Sequence, residues 1–114
     1  GLEMARGSGC DVVLDWGKVA LLPQVKALAE AGFVTGASGR NWASYGERIL
    51  LGEGLGEVDR ALLTDPQTSG GLLVACDPAA LDAVLAVFAA HGFTDAAVIG
   101  QVGDRSDKPR LQID

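Results

Sequence analysis

Leu63–Cys76 reads LTDPQTSGGLLVAC, a polar turn followed at once by a run of five apolar residues. The run Leu72–Cys76 is apolar on both faces, which is typical of a buried strand and predicts a central position in a β-sheet. The turn Asp65–Gly71 before it contains an acid, an amide, two hydroxyls and a Gly-Gly pair. Burying so many polar groups is costly unless each finds a partner. The turn is therefore either bonded to itself or part of a ligand site.

The residues after this run predict a helix and a further strand. Asp77 suits a helix cap and Pro78 a first helical position, and apolar residues recur at helical spacing as far as His91. Gly92 is a typical helix stop, and Ala96–Val102 predicts a strand. This order of strand, helix and strand predicts either a right-handed crossover or a split unit of the kind found in ferredoxin-like folds.

The upstream half predicts further strands and helices around a long loop. Glycines and the lack of a clear period predict a loop from Phe33 to Gly46, which we expect to be mobile. Leu2–Arg6 is helical in composition but too short to be stable alone. The remaining predicted elements are the strand Asp11–Asp15, the helix Pro23–Ala31, the strand Glu47–Leu51, the helix Glu57–Leu63 and the strand Arg110–Ile113. The pattern as a whole predicts an α+β fold, with a mixed sheet packed with helices.

Composition narrows the range of partners. The chain has 114 residues, 48% of them hydrophobic, which suits one domain over residues 1–114. Its formal net charge of −6 argues against a nucleic-acid partner. No apolar run approaches the roughly 20 residues of a membrane span, and no signal peptide is visible, so we expect no membrane partner and a cytoplasmic location. The single His and the spacing of Cys10 and Cys76 fit no zinc site, and both cysteines are expected to be reduced and partly buried.

A second segment makes the sequence recognisable. Gly36–Gly46 reads GASGRNWASYG, and it precedes the Asp65–Leu73 run DPQTSGGLL. In this order and at about this separation, the two resemble signatures of the selenophosphate synthetase (selenide, water dikinase) family. The resemblance covers nearly the whole chain but only the C-terminal part of a family member. It implies the C-terminal domain fold of the aminoimidazole ribonucleotide synthetase superfamily, here truncated at the N-terminus.

The resemblance also implies an activity for the parent enzyme. Members of the family make selenophosphate from selenide, ATP and water, and they release AMP and phosphate. The resemblance implies ATP and Mg²⁺ as cofactors, homodimers, and an N-terminal domain of the same protein as the immediate partner. We expect the fragment alone to hold no cofactor and to be inactive.

Two polar segments are the candidates for a site that faces phosphate or the selenium substrate. Gly-Gly allows backbone N–H groups to form an anion-binding nest, and the neighbouring hydroxyls add donors. Arg offers a forked cation that matches phosphate geometry, and Asn adds an amide. The alternatives are a structural turn capped by Asp65 and an Arg on a surface loop. The candidate residues are Arg40, Asn41, Gln67, Thr68, Ser69, Gly70 and Gly71.

No residue is predicted to be catalytic or to bind a metal. Cys10 lies in a Gly-rich segment without a neighbouring Lys, so we interpret it as a core residue, and Cys76 as a thiol packed at a strand end. No two carboxylates share a motif suited to magnesium. Two alternative functions stay open: another ATP-using member of the superfamily, such as aminoimidazole ribonucleotide synthetase or a hydrogenase-maturation protein, and a non-enzymatic dimerisation or interaction module that pairs through an exposed sheet edge.

Overall fold

A computed structural model describes all residues, 1–114, as one four-stranded sheet with five helices, which confirms the predicted α+β class. The helices are α1 (Leu2–Ser8), α2 (Val25–Glu30), α3 (Gly36–Tyr45), α4 (Glu57–Leu63) and α5 (Leu81–Ala90). The strands are β1 (Cys10–Leu14), β2 (Ile49–Leu51), β3 (Gly100–Arg105) and β4 (Leu111–Ile113). Short 3₁₀ turns lie at Trp16–Lys18, Gly46–Arg48 and Pro78–Ala80.

The sheet is mixed, with strand order β2-β4-β1-β3. β4 lies between β1 and β2 and is parallel to both, so that Leu111 pairs with Val12 on one side and with Ile49 on the other. β3 runs antiparallel to β1 at one edge, and Val12 pairs there with Val102. All six residues of β3 are exposed, so neither face of this edge strand is covered.

The hydrophobic core is small and is centred on β1, β4 and α1. Five buried residues form it: Leu2, Ala5, Val12, Leu111 and Ile113. Burial of Leu2 and Ala5 against the sheet explains why the seven-residue α1 forms although such a helix is unstable alone. Only eight of the 114 residues are buried, so much of the apolar surface of this hydrophobic chain faces outward.

The predicted central strand Leu72–Cys76 is wrong. These residues form no helix or strand and are all exposed, with Leu72 at 81%. A β-rich composition makes a segment suitable for a pleated surface, but it does not determine whether or with which strand the segment pairs. Neither edge of the sheet is paired with this segment, so the predicted strand-helix-strand unit is not formed.

The other predicted elements are present with shifted boundaries. The helix predicted from Pro78 begins with a 3₁₀ turn that Asp77 caps, its carboxylate accepting the Ala79 N–H at 2.8 Å. The strand predicted at Ala96–Val102 is β3, which starts later and extends into the polar residues up to Arg105, because pairing with β1 sets its limits. No helix is long and apolar enough to cross a membrane.

Candidate functional site

The first recognisable segment is helical, which corrects the predicted mobile loop Phe33–Gly46. Residues Gly36–Tyr45 form α3, and Thr35 precedes them in extended conformation. Two glycines inside the helix lower its intrinsic stability, which is why the sequence pattern indicated a loop. Contacts with α4 and the core stabilise the helix, so Arg40 and Asn41 lie on a regular element.

A seam of polar contacts joins α3 to the end of α4. Ser38 Oγ donates to the Ala61 carbonyl at 3.0 Å, and Asn41 Nδ2 donates to the Thr64 carbonyl at 2.8 Å. Thr64 Oγ1 lies 2.7 Å from the Arg60 carbonyl and 3.2 Å from the Ser38 carbonyl. Ser38 and Thr64 are the two buried polar residues of the chain. The seam therefore fixes Thr64, the residue directly before the Asp65–Gly71 turn.

The Asp65–Gly71 turn leaves most of its polar groups facing outward. Gln67 Nε2 donates to the Asp65 carboxylate at 2.8 Å, and no side-chain hydrogen bond is formed by Thr68 or Ser69. Both hydroxyl residues and the two glycines are exposed. Neither glycine has a positive φ, so the pair does not use the left-handed conformation that glycine permits. The turn is thus bonded to itself at Asp65 and Gln67 and open from Thr68 onward.

Arg40 is an exposed cation without a partner acid. It forms no ion pair, and its Nη1 lies over Gly36, 3.7 Å from where a Cβ at that glycine would stand. No hydrogen bond joins Arg40 to the Asp65–Gly71 turn, and the two are linked through Asn41 instead. The structure therefore brings Asn41 to the start of the turn and leaves Arg40 exposed without an ion-pair partner.

Two aromatic side chains, Trp42 and Tyr45, hold α3 in place. Tyr45 packs against the core, and this burial raises the pKa of its phenol. Trp42 faces Arg60 of α4, whose Cζ lies 5.3 Å from the ring centroid. Gly46 also lies against the indole, and a Cβ at this position would come within 2.8 Å of Trp42 Cε2. Both aromatic residues thus support the segment and leave no ring free to stack on a base.

Asp59 anchors α4 from its first turn. Its carboxylate accepts the Gly56 N–H at 3.0 Å and the Trp16 indole N–H at 2.8 Å. These hydrogen bonds, the one from Gly56 first, hold the pKa of Asp59 below its ordinary value. The carboxylate is engaged by the fold and is not a candidate base.

No group of three or more His, Cys, Asp or Glu side chains is placed to hold a metal ion. The hollow beside Asp65 is mostly apolar and is lined by residues such as Val25, Phe33 and Leu62. Cys10 is a half-buried free thiol, whereas Cys76 is exposed, which corrects the prediction that it is packed at a strand end. Because the strand at Leu72–Cys76 is absent, no packed environment forms around that sulfur.

Sequence reasoning missed Ser38 and Thr64. Their spacing is informative only once Gly36–Tyr45 is known to be a helix, since Ser38 and Asn41 then lie three residues apart on one face. Thr64 directly follows α4, and in the sequence it stands only as one more polar residue before the turn. The position of the turn thus depends on Thr64, the residue that precedes it.

A family model and several individual proteins match nearly the whole of this chain. The family described as AIR synthase related protein, C-terminal domain, matches residues 2–111. A selenide, water dikinase from Pseudomonas straminea is 57% identical over 102 residues, and one from Burkholderia pseudomallei is 56% identical over 103 residues. Each alignment covers 90% of this chain and 29% of the relative. A selenide, water dikinase from Rhizobium meliloti is 49% identical over 88% of this chain and 29% of its own length.

Proposed function

The chain belongs to the family of AIR synthase related C-terminal domains, and we propose that it is the C-terminal domain of a selenide, water dikinase. The observation that carries the proposal is the high identity to such enzymes over nine-tenths of the chain. The chain spans about 29% of the length of these relatives, so most of the proposed enzyme lies in sequence outside it. The proposed reaction converts selenide, ATP and water into selenophosphate, AMP and phosphate, in the cytoplasm.

In this proposal the domain contributes charge and hydrogen-bond donors to phosphoryl transfer. Such transfer depends on positioning and on neutralising the charge of the phosphate oxygens. Arg40 is an unpaired exposed guanidinium, and Thr68 and Ser69 have hydroxyls without protein partners. These groups, together with Gln67 and the Gly70-Gly71 backbone, would face the phosphates of ATP or the selenium substrate. Asn41 holds the turn that presents them.

Magnesium does not fit the residues of this chain. Mg²⁺ takes oxygen ligands in near-octahedral geometry, and no cluster of acidic side chains is placed to provide them. We therefore propose that the metal and most of the nucleotide site belong to the remainder of the enzyme. The chain also presents no thiol beside a base that would act as a nucleophile, so we propose that it is inactive alone.

The exposed apolar surface supports the N-terminal domain of the same protein as the partner. Leu72, Leu73 and Val74 follow the candidate turn directly and are 81%, 40% and 49% exposed. Monomeric proteins rarely leave contiguous apolar segments uncovered. We propose that the rest of the parent chain covers this segment, which would bring the turn to the domain boundary, and that the whole enzyme is a homodimer.

The test is substitution in the full-length enzyme, measured as selenide-dependent AMP formation. Arg40→Ala and Thr68→Ala are each expected to lower kcat/KM by tenfold or more, since a charge-assisted hydrogen bond to phosphate contributes roughly 1.5–3 kcal/mol. Arg105→Ala and Thr94→Ala are matched controls, because both residues are exposed and lie outside the candidate segments. Unchanged kcat and KM in both site variants would refute the phosphate-facing role, and wild-type enzyme without AMP formation would refute the proposed reaction.

A second candidate, a dimerisation module, is favoured by the sheet edge. β3 has six exposed residues and no strand on its outer side, which is a suitable template for pairing with another chain. Light scattering of the purified chain tests this alternative. A dimer that dissociates when Val102 is replaced by Pro would support it, and a monomer at all concentrations would exclude it.

A further inference from the structure

Asn41 occupies a position from which it sets the direction of the candidate turn. Thr64 follows the last residue of α4, where carbonyl groups lack partners within the helix. The Asn41 amide supplies a partner from α3 at 2.8 Å. The next two residues are Asp65 and Pro66, and a proline restricts the residue before it to extended conformations. The path of the turn is thus largely determined where Asn41 holds it.

We infer that Asn41 is a positioning residue, which acts on the substrate through the Asp65–Gly71 turn and not by direct contact. Its Nδ2 is engaged by the Thr64 carbonyl, and its side chain is half-buried between α3 and α4. The groups that face outward come after it: the Thr68 and Ser69 hydroxyls and the glycine backbone. The functional part of this inference rests on the proposed function of the chain.

The hydrogen bond to the Thr64 carbonyl requires a neutral donor on a side chain as long as that of asparagine. Aspartate at position 41 would place a carboxylate against the Thr64 carbonyl, so an attraction becomes a repulsion between two acceptors. Alanine would leave the carbonyl without its side-chain donor. The side chain of Thr64 is held independently of Asn41, because its hydroxyl lies within hydrogen-bond distance of the Arg60 and Ser38 carbonyls. We therefore expect the fold to survive loss of the Asn41 contact, while the Thr64 carbonyl, which belongs to the peptide that leads into the turn, is no longer held.

Two measurements separate positioning from simple stabilisation. The variants are Asn41→Ala and Asn41→Asp, and the control is Ser44→Ala, an exposed residue on the same helix that forms no side-chain hydrogen bond. In this chain, backbone NMR order parameters of residues 65–71 are expected to fall in both variants and to stay unchanged in the control. In the full-length enzyme, kcat/KM for selenide-dependent AMP formation is expected to fall at least tenfold at a temperature where each variant is fully folded.

A structural role alone would lower the melting temperature and leave the activity of the folded enzyme unchanged. That result, or order parameters equal to those of the wild type, would overturn the inference. If Asn41→Ala does not fold, Asn41→Asp carries the test, since it keeps the size of the side chain. If the wild-type enzyme forms no AMP, the proposed function fails, whereas the NMR measurement still decides whether Asn41 fixes the turn.

Discussion

Arg60 lies over the face of Trp42, with its Cζ 5.3 Å from the centroid of the ring. A guanidinium within about 6 Å of an indole centroid is attracted by the π-electrons, and the contribution is roughly 0.5–1 kcal/mol at an exposed site and more when the pair is desolvated. The pair links α3 to α4 beside the seam of Ser38, Asn41 and Thr64. Both kinds of contact therefore hold the two candidate segments together, independently of any ligand.

Gly46→Ala is expected to destabilise the chain because the indole leaves no room for a methyl group. A Cβ at position 46 would lie 2.8 Å from Trp42 Cε2, so the ring must shift and its contact with Arg60 is disturbed. Overpacking of this kind costs about 1–3 kcal/mol. Urea unfolding gives the free energy of unfolding, and a change in tryptophan fluorescence that is absent when Trp42 is replaced by Phe reports the displacement of the ring.

Gly39→Ala is the matched control, with the opposite expected sign. Gly39 lies inside α3, and a Cβ there meets nothing within 4 Å. Replacing glycine by alanine in a helix interior stabilises by roughly 0.5–1 kcal/mol. If Gly39→Ala instead lowers the free energy of unfolding, residues 36–45 are not a helix in solution.

Thr64→Val is expected to lower the free energy of unfolding by about 1 kcal/mol, the usual net contribution of one hydrogen bond. Thr64 is 3% exposed, and its hydroxyl contacts the Arg60 and Ser38 carbonyls. Valine keeps the shape and removes only the polar group. The exposed Thr94→Val should change the free energy by less than about 0.5 kcal/mol. Equal effects in the two variants would show that the buried hydroxyl has no special role.

Asp59 predicts a dependence of stability on pH below neutrality. The Gly56 N–H and then the Trp16 indole lower its pKa in the folded chain. A lowered folded pKa means that the stabilisation is present above the unfolded value of about 3.9 and is lost as pH falls through the folded value. Asp59→Asn removes this titration, so its melting temperature should fall less steeply below about pH 4 than that of the wild type.

Two observations make the Asp59 measurement specific. Asp15 also has a lowered pKa, chiefly because Lys18 hydrogen-bonds to it, so some acid sensitivity should persist in Asp59→Asn. Asp82→Asn, on the exposed side of α5, is the control with the same change of charge. Trp16 donates directly to Asp59, so in a Trp42→Phe background the remaining tryptophan fluorescence should change with pH and should stay constant when Asp59→Asn is added. Identical profiles for all three proteins would contradict the prediction.

The elements predicted well from the sequence are those with local signals. Asp77, Pro78 and Gly92 mark the limits of the helical segment that contains α5, and the caps and the stop are observed. α3 was missed because contacts distant in sequence stabilise it, among them the bond from Ser38 to Ala61 over 23 residues. The candidate residues could be chosen by chemistry and by resemblance, but the link from Asn41 to Thr64 could not, since no local pattern predicts which carbonyl an amide meets.

Leu72 provides the sharpest test of the strand that the sequence predicted and the structure lacks. Truncating a buried leucine of a central strand lowers the free energy of unfolding by about 2–5 kcal/mol. Substitutions at exposed positions usually change it by less than about 0.5 kcal/mol. Leu72 is 81% exposed, so Leu72→Ser should leave the free energy of unfolding of this chain unchanged, while Leu111→Ala, at a core position 6% exposed, should lower it strongly. In the full-length enzyme Leu72→Ser should become destabilising, because the proposed partner domain would cover it. A strong effect already in this chain would instead mean that Leu72–Cys76 is packed in a sheet.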